Sequence, residues 1–320
     1  MSPAAKKTSK KAPLKKPGKL LTVVIPAYNE QDMIANVITE LKKIKSKINA
    51  AGFNYRILVV NDGSKDKTLE LAKSAGADEI VNHKVNKGLG AAIRSGLRAA
   101  RDLGSDIAVK FDADLQHDPE DILELIKPIV NDESDIVYGK RFDRIEYKMP
   151  FIRRTGNIVF TTIMKMLTGW PIEDSQPGIF AVNKDYLSVF RLPGDYNYTQ
   201  QVLLDAYHNS MRFAHVPVRF KKRKTGRSFV SLKYPFKVSY QILILILSFK
   251  PMRIFGSIGL FMLLGAAAIF GTEIVRFFME LGDKPVVHVN AVLGLGLTGI
   301  QFLFFGLLAE LIVAIDRKRG

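Results

Sequence analysis

Short β-branched apolar runs alternate with helical stripes of apolar residues over the first half of the chain. The runs predict five strands, at Leu20–Pro26, Tyr55–Val60, Glu79–Asn82, Ile107–Phe111 and Asp135–Gly139. Apolar positions three and four residues apart predict the helices between them, at Glu30–Ile48, Asp66–Ser74, Gly88–Leu103 and Pro119–Val130. Such alternation is typical of an α/β fold, a mostly parallel sheet that is covered by helices on both faces.

The pattern changes at Arg153. The segments that follow are a basic helix, a turn-rich stretch, a strand, a second helix and a second strand, at Arg153–Leu167, Trp170–Gly178, Gly178–Val182, Thr199–Asn209 and Ala214–Phe220. Residues Val230–Ser248 mix aromatic, lysine and apolar residues, which indicates helices that lie in the plane of a membrane interface.

Two long apolar runs close the chain, at Ile254–Val275 and Val286–Ile315. As helices each would span at least ~30 Å, which is enough to cross the hydrocarbon core of a bilayer. The alternative is a pair of buried helices in a soluble domain, but glycine-rich faces favour helix packing in lipid. The short loop Arg276–Pro285 between the runs predicts a transmembrane hairpin. Glu273 and Glu310, near the helix ends, could reach the interface or make a polar contact between the two helices.

Charge and composition narrow the function classes. The 320 residues carry a formal net charge of +16 and contain no cysteine, which excludes disulfides, zinc–thiolate sites and thiol nucleophiles. A basic chain suggests nucleic acid or an anionic membrane as partner. Two basic clusters, Lys250–Arg253 and Arg317–Arg319, flank the apolar runs, so the membrane is favoured and no nucleic-acid partner is expected.

The predicted domains follow from these patterns. They are a disordered basic tail (1–19), a catalytic domain (20–228), interfacial helices (229–252) and two transmembrane helices (253–320, spanning about 254–275 and 286–315). Basic residues outside the apolar runs outnumber Arg276 and Lys284 in the loop between them. Both termini and the catalytic domain are therefore expected on the cytoplasmic side of a multi-pass membrane protein.

The stretch KFDADLQHDPE contains the groups most suited to chemistry. Asp112, Asp114 and Gln116 follow a predicted strand at a spacing of two, which on an extended segment places them on one side. Two carboxylates and an amide oxygen are ligands that suit Mg²⁺ or Mn²⁺. Asp118 and Pro119 fit instead the cap and first position of the next helix. Two adjacent carboxylates that merely ended a strand would repel each other, so the stretch predicts a metal site.

Polar clusters follow three of the predicted strands. Pro26–Glu30 comes after the first strand, Asn61–Ser64 after the second and Asp112–Gln116 after the fourth. In open α/β sheets, ligands bind beyond the carboxyl ends of the strands. Three clusters at one sheet edge therefore predict a binding site there.

Further motifs accompany these clusters in a fixed order. The set is Pro26-Ala27-Tyr28-Asn29-Glu30, Asn61-Asp62-Gly63-Ser64, Asn86-Lys87-Gly88-Leu89-Gly90-Ala91, Asp112-Ala113-Asp114-Leu115-Gln116-His117, Gly139-Lys140-Arg141, Arg153-Arg154, Asp174-Ser175-Gln176-Pro177-Gly178 and Arg223-Lys224-Thr225-Gly226-Arg227-Ser228. From about Leu20 to the end, the chain resembles the GT-A glycosyltransferases of family two. Within that family it is most similar to the dolichol-phosphate mannosyltransferase and polyprenyl-phosphate glucosyltransferase branch, including members with two C-terminal membrane helices.

The resemblance implies an enzyme that moves a sugar, with inversion, from a nucleotide-sugar of the GDP-mannose or UDP-glucose type to dolichyl or polyprenyl phosphate. It implies donor binding by a set of eight residues, Pro26, Ala27, Tyr28, Glu30, Asp62, Asp112, Ala113 and Arg223. It also implies Mg²⁺ or Mn²⁺ on Asp112, Asp114 and Gln116, with Asp114 catalytic, because a bound ion can neutralise a diphosphate leaving group.

A phosphate acceptor needs no general base, because a phosphate monoester with a second pKa near ~6 is already ionised at neutral pH. Cations that seat it are needed instead, and Arg141, Arg153 and Arg154 lie in the appropriate motifs, with Arg141 and Arg153 also expected to be catalytic. Arg153 and Arg154 could alternatively extend towards lipid headgroups. The run Lys221–Lys224 with Arg227 could be a solvated basic face.

Two other functions fit the sequence less well. A polysaccharide synthase of the same fold would carry a Gln-x-x-Arg-Trp segment, whereas the single tryptophan, Trp170, lies in Leu-Thr-Gly-Trp. A basic scaffold or nucleic-acid-binding protein would leave the carboxylate–amide cluster unused. The five dispersed histidines receive no catalytic role. The expected partners are the nucleotide-sugar, the polyprenyl phosphate and the bilayer, with a homo-oligomer allowed.

Overall fold

The computed structural model describes residues 18–141, 151–192, 198–221, 251–281 and 284–318, with the backbone alone for 151–153 and 316–318. The chain divides into two compact units, Met1–Ser228 and Phe229–Gly320. The predicted interfacial segment, Val230–Ser248, lies outside the described residues, as does most of the predicted basic tail. The domain boundaries drawn from the sequence stay predictions.

The first unit is built on a seven-stranded sheet with the order β3-β2-β1-β4-β6-β5-β7. Its strands are β1 (Lys19–Ala27), β2 (Phe53–Asn61), β3 (Glu79–Asn82), β4 (Ile107–Lys110), β5 (Ile136–Lys140), β6 (Phe180–Asn183) and β7 (Phe213–Pro217). All neighbours are parallel except β6, which is antiparallel to both β4 and β5. The predicted mostly parallel sheet is confirmed.

Eight helices of the first unit lie in the described residues. They are α1 (Ile34–Lys43), α2 (Lys45–Ala50), α3 (Thr68–Ser74), α4 (Leu89–Asp102), α5 (Asp121–Val130), α6 (Phe151–Thr168), α7 (Lys184–Val189) and α8 (Tyr198–His208). The predicted helix Glu30–Ile48 is divided at Ile44 into α1 and α2. The apolar stripe continues through the break, since Ile44 and Ile48 are both buried in the core.

Two local predictions around the carboxylate stretch were wrong. Strand β4 ends at Lys110, and the chain then turns, with Leu115 in the left-handed region at φ 52°. The segment is therefore not extended, and its spacing of two does not by itself place the side chains on one side. Helix α5 begins at Asp121 rather than Pro119. Asp118 instead accepts the Glu120 N–H through its side chain at 3.1 Å.

The second unit contains an antiparallel hairpin of two helices, α9 (Pro251–Phe278) and α10 (Val289–Lys318). Both are long and apolar enough to cross a membrane, with mean hydropathies of 2.1 and 2.0 in their most apolar windows. Only about a tenth of these windows is buried within the protein. The alternative of two buried core helices therefore does not fit.

The hairpin helices approach closely where glycines meet. A Cβ on Gly259 would lie 2.6 Å from the carbonyl oxygen of Gly299, and a Cβ on Gly299 would lie 2.9 Å from that of Gly259. Gly271, Gly294 and Gly296 have nothing within 4 Å of such a Cβ. Only part of the predicted glycine-rich faces therefore serves helix contact.

The two helices also exchange caps, in that a glutamate on each helix accepts backbone N–H groups at the start of the other. Glu273 of α9 accepts hydrogen bonds from the backbone N–H groups of Val287 and His288, just before α10, and contacts the His288 imidazole. Glu310 of α10 accepts from the N–H of Met252 in the first turn of α9, at 3.4 Å. Each glutamate thus reaches the N-terminus of the other helix, where four backbone donors lack an intrahelical partner. The polar contact between helices that the sequence allowed is the one observed.

Candidate active site

The loops after β1 and β2 are joined at one edge of the sheet. Ala27 lies opposite Asn61 in the parallel ladder. Beyond it, the Asn29 N–H donates to Ser64 Oγ at 3.0 Å, and the Lys65 N–H donates to Asn29 Oδ1 at 2.9 Å. Asn29 itself is in the left-handed region, which an asparagine tolerates better than most residues.

The predicted donor residues on β1 lie on this edge. Pro26 and Ala27 are buried in the strand, whereas the next residue, Tyr28, is 41% exposed. The Glu30 N–H donates to Thr68 Oγ1 at 2.9 Å, which ties the loop to the start of α3. An exposed aromatic ring on a fixed loop is the kind of group on which a nucleobase can stack.

Both carboxylate oxygens of Asp62 make hydrogen bonds inside the protein. Its Oδ1 contacts His83 Nδ1 at 2.7 Å and accepts the Lys87 N–H at 3.0 Å, while Oδ2 accepts the Gly88 N–H at 2.9 Å. The residue is only 3% exposed. The next residue must be a glycine. Gly63 has a φ of +69°, and a Cβ at this position would lie 2.5 Å from the Asn86 nitrogen. Asp62 therefore holds the loop between β3 and α4, and direct contact with a nucleoside stays a prediction.

The predicted metal ligands follow β4 at the same edge. Asp114 Oδ1 accepts the Gln116 N–H at 3.1 Å, which stabilises the turn at Leu115. The Gln116 amide donates from Nε2 to the Lys221 carbonyl at 3.2 Å. Ala113 is buried at 5% exposure. The side chains of Asp112, Asp114 and Gln116 are half-buried and are carried by one short turn.

Lys110, which the sequence reasoning did not single out, is completely buried at the end of β4. Its Nζ donates to Asp112 Oδ1 at 2.5 Å and to the Gly178 carbonyl at 2.7 Å. Burial alone would lower the pKa of this lysine, but the Asp112 carboxylate and the neighbouring Tyr198 raise it above its ordinary value. The sequence does contain a signal for this buried lysine, which is a single lysine in an apolar strand, two residues before an aspartate.

The oxygen ligands at this turn suit a hard divalent ion if a substrate supplies further oxygens. Among the described residues, no group of three or more His, Asp or Glu side chains could hold a metal ion. An ion here would need the Gln116 amide oxygen as third protein ligand, with further oxygens from a substrate, which is the usual arrangement for Mg²⁺ beside phosphates. Asp112 would offer its Oδ2, because Oδ1 is held by Lys110.

His117, which follows Gln116, is buried beside the candidate metal ligands. It is 1% exposed, and neither ring nitrogen has a hydrogen-bond partner within the described parts of the chain. Burial lowers its pKa to about 3, so the ring is neutral. It packs edge-on against Phe111 and at 5.0 Å between centroids against Phe220. A Cβ on Gly178 would lie 2.2 Å from His117 Nε2 and 2.8 Å from Asp112 Oδ2, so this glycine closes the site tightly.

Arg141 is held in place after β5. Its Nε donates to Asp174 Oδ2 at 2.8 Å and its Nη2 to Oδ1 at 3.0 Å. Burial would raise the pKa of Asp174, but the Arg141 charge and hydrogen bonds from Asn157 and the Gln176 N–H hold it below its ordinary range. The guanidinium also lies 5.3 Å from the centroid of the Phe220 ring.

Of the other predicted arginines, Arg154 alone has a side chain among the described residues. Arg154 is exposed on α6, so the phosphate role and the headgroup role both stay open. The side chain of Arg153 and all of Arg223 lie outside the described residues. The last described residue before that gap, Lys221, pairs its N–H with the Gln116 carbonyl at 2.8 Å.

The segment leading to Lys221 is anchored by two aspartates. The Arg219 N–H and Nε donate to Asp121 at 2.7 and 3.0 Å. Arg219 and Lys221 both lie 3.2 Å from Asp118 Oδ2. The acidic residues after the Asp112–Gln116 turn thus fix the basic segment that approaches this turn, a role that the predicted helix cap did not include.

An open α/β sheet with polar loops beyond its parallel strands, and a carboxylate–amide turn among them, is the architecture of enzymes that bind ligands at the carboxyl ends of the strands. The model for the family "Glycosyl transferase family 2" matches residues 22–190, which span β1 to just beyond α7. The chain belongs to glycosyltransferase family 2.

Curated relatives of known sequence support the same assignment. The UDP-N-acetylglucosamine–dolichyl-phosphate N-acetylglucosaminyltransferase of Methanococcus voltae is 34% identical over 251 residues, which are 71% of this chain and 96% of that protein. The dolichol-phosphate mannosyltransferase of Pyrococcus furiosus is 31% identical over 65% of this chain and 58% of its own length. An undecaprenyl-phosphate 4-deoxy-4-formamido-L-arabinose transferase of Edwardsiella ictaluri is 28% identical over 91% of this chain and 88% of its own.

Solved structures resemble the fold. The glucosyl-3-phosphoglycerate synthase of Mycobacterium tuberculosis, in complex with Mn²⁺, UDP and phosphoglyceric acid, matches with a TM-score of 0.56 at 22% identity. The match covers 72% of this chain and 78% of that one. The predicted GT-A architecture is confirmed by this likeness.

Proposed function

We propose that this protein transfers a sugar from a nucleoside-diphosphate sugar to a polyprenyl or dolichyl phosphate. The observation that carries the proposal is the turn of Asp112, Asp114 and Gln116 at the carboxyl end of β4 in a chain that also ends in an apolar hairpin. Relatives named as polyprenyl-phosphate or dolichyl-phosphate transferases support the acceptor class. The Edwardsiella protein is similar over 304 residues, so its likeness extends into the hairpin.

The donor would lie across the loops after β1, β2 and β4. Tyr28 offers an exposed ring to the base, and the loop held by Asp62 borders the same edge. Asp112, Asp114 and Gln116 would hold Mg²⁺ or Mn²⁺, which supplies positive charge to the diphosphate leaving group. Structural neighbours crystallised with Mn²⁺ or Mg²⁺ and UDP support this cofactor class.

The acceptor phosphate would act as its own nucleophile. One phosphate oxygen forms a bond to the anomeric carbon while the bond from that carbon to the diphosphate oxygen breaks, which inverts the configuration. No proton has to be removed, because the phosphate is already ionised at neutral pH. Arginine forks match phosphate geometry, and Arg141, Arg153 and Arg154 are proposed to seat this group, with Arg141 fixed in orientation by Asp174.

A donor panel tests the reaction. The full chain, in membranes with polyprenyl phosphate and Mn²⁺, is incubated with radiolabelled GDP-mannose, UDP-glucose or UDP-N-acetylglucosamine, and the lipids are extracted. We expect EDTA-sensitive labelled lipid from one donor, lost in Asp114→Asn. Asp102→Asn, a 66%-exposed aspartate at the end of α4, is the matched control and should retain activity. No labelled lipid from any donor would refute the proposed function.

The membrane topology is a separate part of the proposal. We propose that the catalytic unit and both ends of the hairpin lie at the cytoplasmic face, and the bias of basic residues supports this orientation. The natural chain has no cysteine, so single cysteines at Lys65 and Glu280 can be labelled without background. In sealed inside-out vesicles an impermeant maleimide should label Lys65→Cys and spare Glu280→Cys. Labelling of both would contradict the hairpin topology.

A further inference from the structure

Lys110 is an internal cation with no access to solvent. It is 0% exposed, and the preceding β4 residues Ile107, Ala108 and Val109 are buried with it. Its Nζ contacts Asp112 Oδ1 at 2.5 Å and the Gly178 carbonyl at 2.7 Å, and it lies 5.5 Å from the centroid of the Tyr198 ring. Burying an ammonium group is costly unless it is paired and hydrogen-bonded. In this protein the pairing is with Asp112 and the hydrogen bond is to the Gly178 carbonyl, so the charge is kept inside the site.

The charge cannot serve a substrate by direct contact. The Lys110 side chain is 1% exposed, whereas that of Asp112 is 29% exposed. A diphosphate could therefore reach Asp112 with a bound ion but not the ammonium behind it. Because the ammonium is buried, its effect on neighbouring charges is only weakly screened by salt.

Lys110 makes the turn less negative than its two carboxylates alone would make it. Asp112 and Asp114 bring two negative charges, and Lys110 offsets one of them through its contact with Asp112. Gln116 is neutral. A free Mg²⁺ or Mn²⁺ would meet little net negative charge, whereas an ion already bound to a nucleoside diphosphate brings further anionic ligands with it.

We propose that Lys110 is a built-in counter-cation that weakens the Asp112–Asp114 turn for a free divalent ion and makes ion binding depend on the nucleotide diphosphate. The inference rests on the metal role in the proposed function. It assigns Lys110 as a positioning residue: it orients Asp112 through Oδ1, leaves Oδ2 for the ion, and ties Gly178 to the same carboxylate.

Binding of Mn²⁺ to the purified full chain tests this without any turnover. Free Mn²⁺ is followed by electron paramagnetic resonance, with and without UDP or GDP, for the wild type, Lys110→Met and Lys110→Gln. Lys110→Gln retains a neutral donor and guards against a folding defect in Lys110→Met. Lys140→Met is the control, because it removes a lysine with a 15% exposed side chain that pairs with Glu173, which is not a predicted ligand.

We expect the wild type to bind Mn²⁺ much more tightly with nucleotide than without. A neutral residue at position 110 should tighten nucleotide-free binding at least about tenfold, the effect of removing a unit charge near a divalent ion even with water-like screening. Lys140→Met should stay within about twofold of the wild type.

The failures are distinguishable. If nucleotide-dependent Mn²⁺ binding is lost in Asp114→Asn but nucleotide-free binding is unchanged or weaker in both Lys110 variants, the counter-cation inference is wrong and the metal site stands. If Asp114→Asn binds Mn²⁺ like the wild type, the proposed metal site fails and the inference fails with it.

Discussion

Arg141 and Asp174 form a bidentate ion pair in which the carboxylate is completely buried, with N–O distances of 2.8 and 3.0 Å. The pair connects the end of β5 to the turn before β6. Asn157 of α6 donates to the same carboxylate at 2.9 Å, so three parts of the unit meet on one side chain. Arg141 is thereby presented in one orientation, as a phosphate-seating group requires.

Breaking this pair should unfold the protein more easily as well as reduce activity. Asp174→Asn leaves the Arg141 charge without its buried partner, for which a loss of about 3–5 kcal/mol in the free energy of unfolding is expected. Denaturant unfolding of the full chain in detergent measures the loss. The adjacent Glu173→Gln breaks a pair with Lys140 whose carboxylate is 55% exposed, and it should cost at most about 1 kcal/mol. Equal effects of the two substitutions would contradict the assigned role.

Gly178→Ala should impair the site while sparing the fold. The new methyl group would lie 2.2 Å from His117 Nε2 and 2.8 Å from Asp112 Oδ2, so one of them must move. His117 is enclosed by aromatic rings, and Asp112 is the more exposed of the two. We expect at least about a tenfold loss in sugar transfer, read out as labelled lipid. Gly156→Ala is the control and should be neutral, because nothing lies within 4 Å of the added carbon. Full activity in Gly178→Ala would contradict the tight contact of Gly178 with His117 and Asp112.

Asp205 should make stability depend on pH in the direction opposite to most carboxylates. Burial raises its pKa to about 6, against the lowering effect of hydrogen bonds that include the one from the Arg191 N–H. The folded state favours the protonated form, so this contribution is present below the ordinary aspartate pKa and is lost as pH rises through 6.

The difference between wild type and Asp205→Asn isolates that contribution. The stability of Asp205→Asn relative to the wild type should increase between pH 4 and pH 7, measured by denaturant unfolding. Asp185→Asn on α7, which removes an exposed carboxylate, should follow the wild-type profile. A pH-independent difference for Asp205→Asn would mean that its carboxyl titrates normally.

Gly259→Leu should separate the hairpin helices. Its Cβ would lie 2.6 Å from the backbone oxygen of Gly299, and backbone on the facing helix cannot rotate away. Overpacking of this kind costs about 1–3 kcal/mol, which a lower midpoint in SDS-induced unfolding should reveal. Gly271→Leu, with open space around the position, is the control. An unchanged midpoint for Gly259→Leu would place the helix contact elsewhere.

The architecture of the first unit could be predicted because its central strands are buried apolar runs and most of its longer helices are amphipathic. The direction of β6 was not, since an apolar run at Phe180 has the same pattern in a parallel or an antiparallel strand. The break of the first helix at Ile44 was hidden for a related reason. Ile44 and Ile48 continue the buried stripe, so periodicity sees one helix where the backbone has two.

The candidate metal ligands Asp112, Asp114 and Gln116 were chosen by residue type, and their assignment stays a prediction. Their expected extended geometry was wrong, because they lie on a turn whose left-handed Leu115 could not be anticipated from the sequence, since leucine rarely adopts that conformation. Partners distant in sequence were beyond reach as well. Arg141 and Asp174 are 33 residues apart, and nothing in the spacing of either motif shows that one holds the other.

The exchanged caps of the hairpin have a consequence for how the chain is made. The Met252 N–H gains its partner when Glu310 is synthesised, 58 residues later. The N–H groups of Val287 and His288 donate to Glu273, which belongs to the helix already made. A first helix released alone into lipid would lack the partner that Glu310 provides for the Met252 N–H. The two helices are therefore expected to leave the translocation machinery together, as one unit of biogenesis, so that truncation between them yields a segment that is retained there or degraded.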